Sequence, residues 1–309
     1  MAGVGFGAAA GALWGLVFLA PALVADFGAL QLTAGRYLAY GLLAAILVAP
    51  RWRRLVGLLS RRDWVTLAVL ALLGNVLYYV LLAKAVQLGG IAMTSLVIGF
   101  LPVAVAVVGR RDHDAAPLSQ LAPSLVLSVA GGLVVAAEAL GRETAGGVAV
   151  QAAGLLCAFG ALASWTAFAV GNTRSLARLD KISAQDWSLL LGVVTGLQGA
   201  ALVPLAVTFE GADHGLAAWA RFAAVCVGVG LLASVVGNAF WNRMSRLLPL
   251  TMVGQMILFE TLFALLYGFL WEQRLPTPLE GLAIALVFGS VLSGAWAHGA
   301  PRRATAAAA

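Results

Sequence analysis

The sequence predicts an all-α integral membrane protein in which ten transmembrane helices form two inverted five-helix repeats, with both termini cytoplasmic. The composition is the first observation behind this prediction. Of the 309 residues, 62% are hydrophobic and only 10% are charged, whereas soluble proteins average about 45–50% and about 25%. The mean hydropathy of +0.96 agrees. A soluble surface needs more charge than this chain carries.

The second observation is the number of apolar runs that are long enough to span a bilayer, at about 20 residues each. We number them spans 1 to 10 and place them at 3–25, 30–49, 64–83, 89–109, 119–140, 148–170, 187–208, 219–241, 251–271 and 277–298. The intervening loops are too short for a soluble catalytic domain, and no GxxxxGK[ST] phosphate loop occurs. These features exclude an enzyme domain and a pump with its own ATPase on this chain.

The third observation is the distribution of basic residues. With the N-terminus in the cytoplasm, fourteen of the nineteen Lys and Arg residues fall on cytoplasmic segments, and the other five lie in outer segments or helix ends. Cytoplasmic loops are enriched in Lys and Arg, so this orientation is favoured. An even number of spans returns the C-terminus to the same side. The net charge of +6 therefore reports orientation and not nucleic-acid binding.

The two halves of the chain resemble each other. Gly74-Asn75 in span 3 is matched by Gly237-Asn238 in span 8, and Trp14 in span 1 by Trp165 in span 6. Five helices reverse the membrane direction, so residues 1–143 and 144–309 are predicted to form inverted repeats, as in many secondary transporters. The alternative is a chance alignment of helices rich in Leu, Ala and Gly.

Small residues recur every four positions in several spans. Span 1 carries Gly3, Gly7, Gly11 and Gly15 on one face, and spans 5 and 10 carry comparable ladders. Such ladders let helix backbones approach closely in lipid. We expect spans 5 and 10 to pack against each other.

Polar residues inside the spans are candidates for a substrate cavity. Glu260 lies near the middle of span 9, where a carboxylate costs about 2.5–3.5 kcal/mol and must face protein or water. It would contact substrate or carry coupling protons, and the alternative is a structural partner for another polar residue. Span 8 carries Cys226, Gly230, Ser234, Asn238 and Asn242 at a spacing of four. Arg36, in the outer third of span 2, can snorkel outward, and it is expected to be either structural or a vestibule charge.

The sequence shows no sign of a metal or cofactor site. The three histidines fall in loops or at helix ends, HExxH is absent, and Cys157 and Cys226 do not imply a disulfide framework. We therefore expect no cofactor. The expected partners are the lipid bilayer and a small-molecule substrate, and the chain can act as a monomer.

The stretch from Phe259, FETLFALLYGFLWEQRLPTPLEGLAIALVFG, together with the ten spans, resembles the drug/metabolite transporter superfamily of EamA type. Glu260, Glu272, Arg274 and Gly281 match the family pattern, whereas Thr261 stands where Pro is usual and Trp271 where Gly is usual. Within the family, the chain is most similar to the ten-helix aromatic amino acid exporters.

The resemblance implies export of aromatic or large neutral amino acids by alternating access, across the cytoplasmic membrane. The candidate substrate-binding residues are Trp14, Asn75, Tyr78, Tyr79, Trp165, Asn238, Gln255 and Glu260. The aromatic rings would hold the apolar side chain, and the amides would bond the polar head. The alternatives are export of other metabolites or of cationic drugs, with or without coupling to protons, and, outside transport, a channel, a membrane sensor or a lipid scramblase.

The basic-residue distribution generates a topology prediction. In a chain without its native cysteines, a Thr173→Cys variant should react with a membrane-impermeant thiol reagent only from the cytoplasm, because the preceding span ends on that side. An Asp213→Cys variant should react only from outside. External labelling at Thr173 would contradict the inverted-repeat arrangement.

Overall fold

Helices account for nearly all of the described chain. The computed structural model describes residues 2–109, 118–141, 147–179, 181–211, 213–248 and 254–299, and their side chains except at 118–121, 254–255 and 294–299. Within these ranges there are helices and short connections but no strands. Seven of the helices are long and apolar enough to cross a membrane. The predicted all-α membrane architecture is therefore confirmed.

The helices overlap the predicted spans, and several of the spans are divided between two helices. In chain order they are α1 (Ala2–Leu23), α2 (Ala29–Val48), α3 (Trp52–Leu58), α4 (Arg61–Ala71), α5 (Leu77–Ile98), α6 (Leu101–Val108), α7 (Leu118–Gly141), α8 (Gly147–Arg178), α9 (Ala184–Glu210), α10 (Leu216–Leu231), α11 (Asn238–Leu247), α12 (Leu258–Glu272) and α13 (Pro278–Gly299).

Local breaks divide several of these helices. Gly90 has φ 84° and ψ 169° inside α5, a conformation that glycine adopts readily and other residues do not. It separates spans 3 and 4. Single π-helical turns, Leu72–Val76 and Leu232–Gly237, join α4 to α5 and α10 to α11. Spans 9 and 10 correspond to α12 and α13, which are preceded by 3₁₀ or irregular backbone.

The glycine ladder of α1 packs against α12. A Cβ atom added to Gly11 would lie 2.8 Å from the backbone nitrogen of Glu260, and one added to Gly15 would lie 2.9 Å from the backbone nitrogen of Ala264. Close backbone approach of this kind is the use that membrane proteins make of small residues. The contact fixes the position of Glu260 relative to α1.

Two further helix pairs form the remaining frame. In the pair α2 and α9, a Cβ added to Gly41 would clash with the Cα of Gly196. In the pair α7 and α13, the buried Ser124 hydroxyl donates to the carbonyl oxygen of Ser290 at 2.7 Å. The predicted packing of span 5 against span 10 is thereby confirmed.

Charged side chains make ion pairs or hydrogen bonds at both ends of the bundle. At the end where α2 and α8 finish and α4 and α9 begin, which we call the basic end, Arg51 pairs with Asp186 at 2.8 Å and Arg178 pairs with Asp63 at 2.6 Å. At the opposite end, the Glu210 carboxylate accepts hydrogen bonds from the first backbone amides of α2, those of Leu30 and Gln31, at 3.0 and 2.8 Å. An acidic group at a helix N-terminus satisfies amides that otherwise lack partners.

The α1–α12 contact generates a stability prediction with a control on the same helix. Gly11→Ala should lower the melting temperature of the protein in detergent, because the new methyl group meets backbone atoms and overpacking costs about 1–3 kcal/mol. Gly5→Ala should leave it unchanged, since a Cβ at Gly5 meets nothing within 4 Å. Equal melting temperatures for the two variants would show that the close contact is not formed.

Candidate functional site

A cavity of about 410 Å³ lies between the central helices. Its lining comes from α1, α2, α5, α6, α8, α9, α11 and α12 and from the α4–α5 and α10–α11 turns. The volume is in the range of small-molecule sites, about 300–1,000 Å³. Aromatic rings, amides, hydroxyls and two charged side chains share the lining.

The cavity opens at the basic end. The exposed residues of its lining are Thr173 near the end of α8, Ala184 at the start of α9 and Asn242 in α11. The remaining lining residues are buried or half-buried. A solute therefore reaches the cavity from the basic end.

Aromatic packing closes the opposite end. The Phe27 ring lies 4.1 to 4.9 Å, between ring centroids, from His214, Trp219 and Phe222. The Gln87 amide donates to the carbonyl oxygen of Phe27 at 2.9 Å. We call these five residues the aromatic plug. Glu210 ends α9 and accepts hydrogen bonds from the first amides of α2. Together with Glu210, the plug joins the α1–α2 and α9–α10 connections across this end.

Six of the eight predicted site residues line the cavity: Trp14, Asn75, Tyr78, Trp165, Asn238 and Glu260. Tyr79 does not line it. Its side chain is fully buried behind the lining, and its hydroxyl donates to the carbonyl oxygen of Val17 at 3.4 Å. Gln255 lies outside the described side chains. The sequence pattern could not separate Tyr78 from Tyr79, because adjacent residues on a helix differ in direction by about 100°.

The π-helical turns explain why polar residues gather here. A π turn leaves backbone carbonyl groups available to accept hydrogen bonds from side chains. In the second turn, Trp14 Nε1 donates to the carbonyl oxygen of Ala233 at 3.0 Å, and Asn238 Nδ2 donates to that of Ser234 at 2.7 Å.

The carbonyl groups of the first π turn also accept hydrogen bonds from side chains. The Ser164 hydroxyl of α8 donates to the carbonyl oxygen of Leu73 at 2.7 Å, and the Tyr37 hydroxyl donates to that of Asn75 at 3.1 Å. The Asn75 side chain donates to the Thr195 hydroxyl at 2.8 Å. Both turns are thus fixed by neighbouring helices, and Asn75 and Asn238 lie beside the cavity as a result.

The predicted stripe on span 8 divides into two groups. Ser234, Asn238 and Asn242 line the cavity, whereas Cys226 and Gly230 pack against α2 at Gly35 and Ala39. The expectation that the whole stripe lines the cavity was wrong, because the π turn Leu232–Gly237 adds residues per turn and rotates the side chains beyond it about the helix axis.

The expectation that Arg36 snorkels outward was wrong, because the residue is 7% exposed and lines the cavity. The alternative of a charge that lines a vestibule remains. The guanidinium carbon of Arg36 lies 4.1 Å from the centroid of the Tyr79 ring. An arginine within an apolar span is a functional candidate by default, but the neighbours that surround its side chain are set by the tertiary structure.

Arg36 and Glu260 are the charged residues of the described lining. They do not pair with each other or with another charged residue in the described ranges. In the same part of the chain, no group of three or more His, Cys, Asp and Glu residues could hold a metal ion. The cavity can therefore provide separated charges, amides and aromatic faces to an organic solute.

Three comparisons place this geometry among known proteins. The sequence pattern of the EamA-like transporter family matches residues 1–136. The inner membrane protein YtfF of Escherichia coli strain K12 is 33% identical over 307 residues, which cover 95% of each chain. A solved crystal structure that is 17% identical superimposes with a TM-score of 0.63 and covers 94% of this chain and 96% of its own. At that identity, the solved structure shows the fold alone. The chain is a multi-pass inner-membrane protein that belongs to the EamA-like transporter family, a family of membrane transporters of small molecules.

Proposed function

We propose that the protein is a secondary transporter that exports amino acids, aromatic or large neutral ones, across the cytoplasmic membrane by alternating access. The cavity carries the proposal, because it is open at the basic end, closed by the aromatic plug at the other, and lined by both aromatic and polar groups. An amino acid has the matching parts: an apolar side chain and a polar head.

The lining residues divide between these two parts. Trp14, Tyr78 and Trp165 offer ring faces to the apolar side chain of the substrate. Asn75 and Asn238 offer amide groups to its polar head. Gln255 remains a prediction for the same role, and Tyr79 acts behind the lining by supporting Arg36.

Glu260 has two candidate roles in this proposal. It binds the substrate ammonium group, or it carries the protons that couple transport to a pH gradient. We favour the ammonium group, since a carboxylate among amides can stay charged without a proton cycle. Its place in the cavity supports contact with the solute in either role.

Ten spans in inverted repeats belong to the same proposal. The π turns occupy matching positions in spans 3 and 8, and each is fixed by the helix of the opposite repeat: α8 through Ser164, and α1 through Trp14. Likewise, α1 of the first half packs on α12 of the second half, and α8 of the second half packs on α5 of the first half. A two-fold relation between the halves accounts for these pairs.

Alternating access then assigns roles to the two ends. The basic end is the cytoplasmic side by the distribution of Lys and Arg, so the cavity faces the cytoplasm in this structure. Export requires the aromatic plug to separate and the basic end to close. The Arg221–Asp26 pair, whose side chains are 53% and 39% exposed, is weak enough to break during that change.

Export of cationic drugs is the second candidate, and Glu260 is the observation that favours it. A buried carboxylate is what a permanent cation needs in a membrane cavity. The buried Arg36 in the same cavity opposes a cationic solute by charge repulsion. For this reason we place amino acids first.

The proposal is tested with purified protein in proteoliposomes and a panel of labelled amino acids, with and without a pH gradient. Saturable uptake of aromatic or large neutral amino acids, and counterflow driven by the unlabelled amino acid, are expected, because a carrier must bind each molecule it moves. Uptake that rises linearly with concentration would indicate a channel. Movement of labelled lipid without amino acid flux would indicate a scramblase, and either result would contradict the proposal.

The lining residues generate a second prediction. Tyr78→Ala and Asn238→Ala should each raise the KM for the transported amino acid about 5- to 30-fold, since each removes a contact worth about 1–2 kcal/mol. Phe209→Ala is the control, because Phe209 is 74% exposed and does not line the cavity. The assay is proteoliposome uptake at matched amounts of inserted protein. Unchanged KM values in both lining variants would show that these side chains serve packing only.

A further inference from the structure

We infer that the cavity selects its substrate as a zwitterion, with Arg36 binding the carboxylate and Glu260 binding the ammonium group. This inference rests on the proposed function. It adds that the substrate carries both charges, and it names the residue that binds the carboxylate.

The first step concerns the unpaired donors of Arg36. The residue is 7% exposed, lines the cavity, and has no hydrogen-bond partner for its buried Nε and Nη1 atoms. A buried guanidinium with free N–H groups is costly in an apolar bundle. An acceptor supplied by the solute would remove that cost.

The second step concerns which edge of Arg36 is available. The guanidinium carbon lies over two aromatic rings, 4.1 Å from the centroid of Tyr79 and 5.0 Å from that of Tyr37. Stacking on aromatic rings uses the flat face of the guanidinium and leaves its N–H donors in the plane for hydrogen bonds. A carboxylate is the planar acceptor that fits such a fork.

The third step concerns the balance of charge in the lining. Glu260 supplies the second isolated charge, of opposite sign, and neither residue has an ion-pair partner in the described part of the chain. A cationic solute would neutralise Glu260 and leave Arg36 unpaired, and an anionic solute would do the reverse. A solute that carries both charges neutralises both residues.

The test compares three probes that share one aromatic ring: L-phenylalanine, phenethylamine, which lacks the carboxylate, and 3-phenylpropanoate, which lacks the ammonium group. Binding to the full-length protein in nanodiscs is measured by calorimetry. The wild type should bind L-phenylalanine roughly 10- to 100-fold more tightly than either analogue, as each analogue loses one charge-assisted hydrogen-bonded contact.

Two variants assign the contacts. Arg36→Gln should weaken binding of L-phenylalanine and 3-phenylpropanoate by about tenfold or more, and it should not weaken phenethylamine, whose ammonium group Arg36 repels. Glu260→Gln should weaken L-phenylalanine and phenethylamine, and it should not weaken 3-phenylpropanoate, whose carboxylate Glu260 repels. A purely structural role for either residue would weaken all three probes together.

The outcomes separate the inference from the proposed function. Equal affinities of the wild type for all three probes would overturn the zwitterion inference, even if the variants failed to fold. Amino acid transport by the wild type, together with an equal loss of affinity for all three probes in Arg36→Gln, would overturn the role of Arg36 alone. No binding or transport of any amino acid by the wild type would overturn the proposed function itself.

Discussion

The high free-energy cost of an unpaired charge in hydrocarbon is the constraint on which the rest of this structure depends. An ionised side chain inside a bilayer needs protein partners, water or a solute of opposite charge. Arg36 meets this need in part through the aromatic faces of Tyr37 and Tyr79, and Glu260 lies where the α1 glycines bring two backbones together. Access from the basic end lets water or solute reach both. The cavity is therefore the place where a largely apolar chain can hold two charges.

Irregular backbone is what makes room for that cavity. Straight α-helices would satisfy their own carbonyl groups and offer little to a polar solute. The π turns at Leu72–Val76 and Leu232–Gly237 leave carbonyl groups for Trp14, Ser164 and Asn238 to bond. Non-helical backbone is tolerated at membrane depth only where it is buried in protein or lines a cavity, and both turns meet this condition. The broken helices and the polar lining are thus one feature of the fold.

Much of the fold could be predicted from the sequence because hydropathy and small-residue spacing are local properties. The Gly11 and Gly15 ladder and the pairing of spans 5 and 10 are packing features that a four-residue period indicates directly. Trp14 and Glu260 could be predicted to lie in the cavity because each is polar or amphipathic at mid-span. The positions of Tyr79, Cys226 and Gly230 outside the lining could not be predicted, since side-chain direction depends on helix rotation, and a π turn changes that rotation. The position of Arg36 depends on which neighbour covers it, and this is a tertiary property.

A direct test of the account is the distance between the substrate carboxylate and Arg36. Solid-state NMR can measure the dipolar coupling between ¹³C in the carboxyl group of bound L-phenylalanine and ¹⁵N in arginine guanidinium groups of the protein in lipid. The account predicts a coupling that corresponds to about 4 Å or less, as expected for N–H···O bonds of about 2.8 Å, and its loss in an Arg36→Lys variant that still binds the ligand. An identical coupling in Arg36→Lys, or none in the wild type with ligand bound, would contradict the account.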